Sequence, residues 1–329
     1  KIMSMLLIME SIDNGTLSLN DEVVISKEAS DMGGSQVFLN EGETYKVSEL
    51  LKGIAIASGN DAVVAMAEKV AGSTSSFVQM MNDKAQELGL QNTTFINPHG
   101  LDAEGHKSSA RDMSIIAREL LKHEKILEFS SIYEEYLTKN DGTKTWLVNT
   151  NKLVRFYNGA DGLKTGFTQS AGYCLTATAK RNNLRLISVV MGEDTSDLRS
   201  ADTVKMLNFG FNTYKANLIM EKDKVIGKVR IIQGKKEDAD VVLKEDAIEL
   251  LNVKDKKSNY SFNILVDKVK APIKKGDVIG KSDVIDDEGN VIDSVDITIN
   301  EDIKKANFFD YLKRNINIVT GGRKILKNS

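Results

Sequence analysis

The chain contains a single cysteine, Cys174, in 329 residues, so no disulfide can form within it. That excludes a disulfide-stapled scaffold but leaves the compartment open, because secreted proteins need not carry disulfides. No apolar run approaches the roughly 18 residues that a membrane-spanning helix needs. Charge of one sign is not in excess either. The formal net charge is −3 at pH 7, where a general nucleic-acid binder is expected to be strongly basic. His99, His106 and His123 are the only histidines, and none stands in an H-E-x-x-H or comparable metal-ligand spacing. A Ser-His-Asp triad would need one of them, and no G-x-S-x-G elbow accompanies it. His99 and His106 are therefore expected to be structural loop residues. Cys174, inside the apolar string "GYCLTATAK", is expected in the core, since a reactive thiol wants an exposed electropositive site.

What is present is an ordinary globular composition, 41% hydrophobic and 28% charged. The first string, "KIMSMLLIME", reads as a buried helix that stops at Asn14-Gly15, residues tolerant of the left-handed conformation. It has a normal end and no beginning: no initiator Met, no signal peptide, and no Ser, Thr, Asp or Asn cap. The expectation is that the chain starts inside an element and that residues precede Lys1.

Helices are predicted over 47–57 and 60–71, broken at Gly59, and over 75–88 with Ser73 or Thr74 as cap. Ser109 stands three residues before Asp112, a capping-box spacing that opens a further helix. From residue 132 strands take over. A hairpin over 135–150 turns at Asn140-Asp141-Gly142, and "GYCLTATAK" pairs with "LRLISVVMG" across residues 181–183. A helix over 197–212 places Leu198, Met206, Leu207 and Phe211 as its apolar positions. Helices and antiparallel strands in separate blocks indicate an α+β class. Beyond about residue 222 short strands and turns follow one another ("KVIGKVRII", "DVVLK", "YSFNILV", "DVIGKSDVID", "VIDSVDITIN"), a small β-rich domain. The division expected is 1–220, 221–301 and a terminal segment 302–329. That last segment puts Phe308, Phe309, Leu312 and Ile316 on one helical arc, with Lys305 intruding on it. Two readings stay open for it: an interfacial membrane helix, or a terminal helix packed on the β domain.

Two tripeptides carry chemical information. Ser58-Gly59-Asn60 lies at the break between two helices, and Lys164-Thr165-Gly166 just before a strand. Each alone is weak, a helix cap and a solvated strand edge being the ordinary explanations. Lys1 changes their weight. S-x-x-K, S-D-N and K-T-G in that order mark class A β-lactamases and penicillin-binding proteins. Lys1, at the head of an apolar helix, matches the lysine of the first motif, which puts the nucleophilic serine three residues upstream of it.

The chain resembles the D-alanyl-D-alanine carboxypeptidases of the low-molecular-mass penicillin-binding proteins, the S11 peptidases. Besides the three motifs, "MGGSQVFLNEGETYKVSELLKGIAIASGNDA", "NTTFINPHGLD", "GHKSSARDMSIIAREL", "GADGLKTGFTQSAGYCL" and "KAPIKKGDVIG" are similar to that family, so the likeness runs over essentially the whole chain. It implies a β-lactamase/transpeptidase-like domain, an antiparallel sheet flanked by helices, followed by the small β domain and an amphipathic C-terminal helix. It implies removal of the terminal D-alanine from peptidoglycan stem peptides through an acyl-serine. Lys1 would be the base, Ser58 the proton relay, and Asn60 would orient lysine and substrate amide. Lys164, Thr165 and Gly166 would line the substrate, with Lys164 and Thr165 on its carboxylate. The N–H of Phe167 would join that of the upstream serine as oxyanion hole. Arg199 matches an arginine that some members place near the substrate carboxylate; a surface helix arginine is the other reading.

The same likeness implies an extracytoplasmic location at the outer face of the cytoplasmic membrane, a removed signal peptide, β-lactams as acylating inhibitors, and contact of the C-terminal helix with the membrane surface. It implies no metal, no organic cofactor and no nucleic acid. The 329 residues as they stand lack the nucleophile at its expected place and are expected not to acylate. Two alternatives remain open. One is a non-catalytic wall-binding protein that keeps the pocket. The other is a serine β-lactamase, which would want an E-x-x-L-N loop; the nearest string, Glu87–Gln91, lacks the Asn.

Overall fold

The computed structural model of the chain describes residues 1–139 and 142–312. Two compact units divide it, Lys1–Asn212 and Thr213–Ser329. The α+β class holds in the first unit, and β structure dominates the second.

The first unit is built around two helices with little solvent face. Ile2–Asp13 buries Ile2 through Met9 without interruption, as expected of a helix that is apolar all round. Each of Met5, Leu6 and Ile8 contributes about 1.5–3 kcal/mol by leaving water. Gly15, not Asn14, takes the left-handed conformation at its end, with φ +80°. Asn60–Ala71 is buried from Asn60 to Ala67 and ends on the left-handed Gly72. Val47–Ala55, Thr74–Glu87 and Ala110–Leu120 complete the helical layer. Ser73 is the cap of the second of these, its hydroxyl accepting from the Ser76 N–H.

The capping box expected at Ser109 forms only by half. Ser109 Oγ accepts from the Asp112 N–H, but the Asp112 carboxylate does not turn back. It accepts instead from the Asn92 N–H at 2.8 Å and from Thr93 Oγ1 at 2.7 Å. Those donors belong to a neighbouring loop and outbid the local one, and Asp112 is consequently buried.

Three antiparallel strands, Ala160–Thr168, Gly172–Arg181 and Leu184–Glu193, form the unit's sheet in sequence order. Among the described residues Ala160–Thr168 pairs on one side alone, so the edge that carries the K-T-G triplet is open. A separate hairpin pairs Glu134–Thr138 with Lys144–Val148; its turn residues Asn140 and Asp141 lie outside the described residues.

Helix Ser196–Thr213 is present, but its inward face differs from the apolar one read off the sequence. Leu198 and Met206 are 48% and 47% exposed, while Arg199, Thr203, Leu207 and Gly210 are buried. Gly210 is needed there, because a Cβ would stand 2.5 Å from Leu186 Cδ1. The spacing of bulky residues misleads because a buried arginine and a glycine contact occupy the stripe.

In the second unit a six-stranded sheet runs in the order Ser261–Val266, Gly280–Ile285, Val291–Ile299, Asp238–Leu243, Val225–Ile232, Val269–Lys270. Its core is the inward row of alternating residues, Val229, Ile231, Val241, Leu243, Val295 and Ile297 among them. Two strands that the turn pattern does not bring out, Tyr214–Met220 and Ala247–Asn252, pair beside it. Of the expected C-terminal helix, Phe308, Phe309 and Leu312 are described and exposed, whereas Ile316 and the rest lie outside the described residues. Among the described residues no helix is long and apolar enough to cross a membrane.

Candidate active site

Helix Val47–Ala55 and helix Asn60–Ala71 are joined by a turn that holds Ser58 at φ +64°. The break between the two helices falls at Gly59 as the sequence indicated, and the left-handed residue beside it is Ser58, the φ of Gly59 being −56°. Such a conformation costs a non-glycine residue on the order of 1–3 kcal/mol and persists where the surroundings enforce it. Gly59 is required for another reason: a Cβ there would lie 2.8 Å from Asp61 Oδ1 and 3.3 Å from Val37 Cγ1. The close packing of this turn presents Ser58 to a cavity of about 870 Å3.

Lys1, Ser58, Asn60, Lys164, Thr165, Gly166, Phe167 and Arg199, all predicted from the sequence, line that one cavity. Four basic residues face it, Lys1, Lys152, Lys164 and Arg199, against one carboxylate, Asp197. The cavity is built to receive an anion.

Lys1 stands at the head of its helix, and its Nζ donates to the His99 carbonyl oxygen at 2.5 Å. Burial lowers its pKa to about 8, partly opposed by the negative charge of Asp61. Asp61 is a site residue that the sequence does not single out. Fully buried, its carboxylate accepts from the backbone N–H groups of Val37, Leu39 and Ala62. It fixes the loop at Val37 and Leu39 and supplies a negative charge that acts on Lys1.

Asn60 is held by its Nδ2, which donates to the Gly33 carbonyl at 2.7 Å, while its buried Oδ1 has no partner. Gly34 makes this possible: φ is +77°, and a Cβ would meet Asn60 Nδ2 at 2.7 Å. An unpartnered buried amide oxygen is costly unless something fills the cavity beside it.

On the opposite wall Lys164 is only 5% exposed. Burial, then the charges of Lys1 and Arg199, hold its pKa well below that of a free lysine. Its Nζ donates to the Thr165 carbonyl at 3.1 Å, and Thr165 Oγ1 donates to Thr150 Oγ1 at 2.6 Å. Thr150, which follows the hairpin, is a second residue missed from sequence. Gly166 pairs with Cys174, and a Cβ on it would meet nothing nearer than Cys174 Cβ at 3.9 Å. Phe167 is exposed and packs its ring on Tyr173, centroids 4.3 Å apart. Arg199 is 7% exposed, so it is not a surface arginine, and its Nε is buried without a partner.

Two expectations are corrected here. Cys174 is half-buried and lines the cavity instead of sitting in the core, because its cross-strand neighbour on that face is a glycine. His99 also lines the cavity, through the loop whose carbonyl receives Lys1. Burial and the charge of Lys1 bring its pKa to about 4, so its ring is neutral and adds no charge. His106 is structural, its Nδ1 accepting from the Ile96 N–H.

The chain is similar to known proteins over most of its length. Residues 1–195 match the family model described as D-alanyl-D-alanine carboxypeptidase, peptidase S11, and residues 214–305 match that of the penicillin-binding protein 5 C-terminal domain. The chain is 48% identical over 315 residues to the D-alanyl-D-alanine carboxypeptidase DacF of Bacillus subtilis, spanning 95% of this chain and 81% of that protein. It is 34% identical to the D-alanyl-D-alanine carboxypeptidase DacC of Escherichia coli, over 94% of this chain and 78% of that one. Penicillin-binding protein 5 of Haemophilus influenzae superposes with a TM-score of 0.66 at 31% identity, covering 92% of this chain and 90% of that one. Penicillin-binding protein D2 of Listeria monocytogenes, in its cefotaxime-bound form, does so at 0.57 and 32% identity, covering 64% and 84%. The chain belongs to the D-alanyl-D-alanine carboxypeptidase family, the S11 peptidases.

Proposed function

We propose that the cavity is the site of a serine-type D-Ala-D-Ala carboxypeptidase, with the nucleophilic serine three residues before Lys1. The convergence of Lys1, Ser58 and Asn60 with the open Lys164–Phe167 edge carries this reading. A serine hydroxyl attacks an amide only when a base takes its proton. Lys1, with a pKa of about 8, is neutral in about a tenth of molecules at pH 7 and more as the pH rises, and takes it. The electron pair freed on oxygen adds to the carbonyl of the penultimate D-alanine. The oxyanion lies at the Phe167 N–H on the unpaired strand edge. The proton then travels through the Ser58 hydroxyl to the departing D-alanine nitrogen, and water hydrolyses the acyl-serine.

The terminal carboxylate sits among Lys164, Thr165 and Arg199, where the buried Arg199 Nε lacks a partner. The substrate backbone lies along the open edge as an added strand. Glu87, the nearest counterpart to a deacylating β-lactamase glutamate, does not line the cavity and is paired with Lys84 at 2.8 Å, which favours a carboxypeptidase over a β-lactamase.

Intact-mass measurement of the full-length protein mixed with benzylpenicillin tests the reading. The expected result is one covalent adduct, absent when the serine three residues before Lys1 is changed to alanine. A folded full-length protein that forms no adduct favours the non-catalytic wall-binding alternative.

The substrate places the reaction outside the cytoplasmic membrane. We infer that the segment 302–329 holds the protein to that surface, on the strength of the exposed Phe308 and Phe309. Sedimentation with phosphatidylglycerol vesicles is expected to bring down the full chain and leave a chain ending at Lys305 in solution. Equal sedimentation of the two overturns the assignment.

A further inference from the structure

Cys174 is the chain's sole thiol and stands on the cavity face of the central strand. Register explains its access. Gly166 is directly opposite and carries no side chain, so the face beside Cys174 Cβ is open where another residue would cover it. Among the described residues the thiol's hydrogen bonds go to the carbonyl oxygens of Ala171 and Gly172, at 3.5 and 3.8 Å, and a thiol is a weak donor.

A second feature of the same cavity points to what would reach this sulfur. Arg199 is more than nine-tenths buried as a residue, lines the cavity, and lies within electrostatic reach of Cys174. Its Nε has no hydrogen-bond partner among the described residues. Lys164, buried as deeply, occupies the same face of the sheet two residues along from Gly166. An anion entering the cavity for these donors brings whatever it carries to the thiol.

We propose that Cys174 is a covalent modification site that takes small disulfides bearing a carboxylate. The carboxylate docks against Arg199 and Lys164, and the sulfur of Cys174, having lost its proton, attacks one sulfur of the disulfide. The reagent's S–S bond breaks, its second sulfur leaves as a thiolate, and that thiolate takes up the proton. Cys174 ends oxidised to a mixed disulfide and the reagent is reduced by the same two electrons. The bound half fills the place assigned to the substrate's terminal carboxylate, so modification shuts the site and a reducing thiol reopens it. This last consequence rests on the carboxypeptidase reading; the labelling itself rests on the cavity alone.

The test compares labelling of the folded 329-residue chain by dithiobis(nitrobenzoate), which is dianionic, and by neutral dithiodipyridine. Each rate is divided by the rate for the same chain unfolded in urea, which removes intrinsic reactivity. The expected ratio favours the anion by about tenfold or more at low salt, as for other cationic clefts. It falls towards unity in Arg199→Gln and on raising the salt to about 1 M, where the Debye length is about 3 Å. The salt series serves even where the variant does not fold. In the full-length protein, labelling is expected to abolish the benzylpenicillin adduct, and dithiothreitol to restore it. Labelling only in urea, a ratio near unity at low salt, or an adduct undiminished by labelling would each overturn the proposal. If the unlabelled full-length protein forms no adduct while the anionic preference holds, the enzymatic reading fails and the modification site stands.

Discussion

Replacing Lys1 by alanine in the full-length protein lowers the acylation rate with benzylpenicillin by roughly 10²–10⁴-fold, the usual worth of a positioned general base. The loss falls on the chemical step, because Lys1 Nζ donates to the loop carbonyl of His99 and is not among the groups assigned to the substrate carboxylate. The fold survives: among the described residues the side chain of Lys1 makes one hydrogen bond, and removing it leaves a single carbonyl oxygen beside the cavity. A thermal melt by circular dichroism, alongside stopped-flow acylation, separates the two effects. A loss of less than about tenfold with the melt unchanged would remove Lys1 from the proton path.

The wild-type pH profile carries the same argument. Lys1 acts neutral, so kcat/KM rises with pH through a value of about 8, the pKa of the buried amine. Lys164 must be charged to hold a carboxylate, yet burial and its two cationic neighbours depress its pKa as well, so its loss of the proton adds a descending limb below the pKa of a free lysine. An entering carboxylate stabilises the Lys164 ammonium and moves that descending limb to higher pH in the complex. The prediction is an alkaline limb that lies at higher pH for kcat than for kcat/KM. A profile flat between pH 6 and 9 would contradict the role given to Lys1.

Lys1, Ser58, Asn60 and the Lys164–Phe167 edge were picked out together by the likeness of three short motifs to a family, and the structure brings them to one cavity. Asp61 was not picked out. An aspartate in the first turn of a helix is a common device for the helix dipole, and nothing in the local string says that a distant loop, Val37–Leu39, donates its N–H groups to it. Thr150 enters the site through a contact with Thr165 across fifteen positions of chain, which only the fold supplies. Cys174 was misread for a related reason. Strand alternation tells which residues share a face, but the cover on that face depends on the register of the next strand, and here the register brings a glycine. The same limit applies to Leu198 and Met206, where helical spacing suggested an apolar face and the buried stripe is occupied by Arg199 and Gly210. The α+β class and the run of strands after residue 222 were readable because they rest on alternation and turn residues alone, which are local.

Gly166→Val separates folding from function more sharply than any other change in the site. In the unliganded protein the substitution is easily accommodated: a Cβ at this position meets only Cys174 Cβ at 3.9 Å, ordinary contact, and valine suits a strand. The melting temperature is therefore expected to stay within a few degrees of wild type. The new methyl groups stand on the cavity face of the strand, between Lys164 and Phe167, where the substrate backbone has to approach the edge. Pushing that backbone out by about 1 Å takes the scissile carbonyl from the Phe167 N–H and costs about 10²-fold or more in turnover. Gly34→Ala provides the contrast, since there the conformation is left-handed and Asn60 Nδ2 lies 2.7 Å from the added carbon, so stability and activity fall together. Hydrolysis of a diacetyl-Lys-D-Ala-D-Ala peptide, measured beside the melts, distinguishes the two variants. A Gly166→Val protein that folds and turns over within about fivefold of wild type would mean that the substrate does not lie along this edge, and with it would go the assignment of the oxyanion to Phe167.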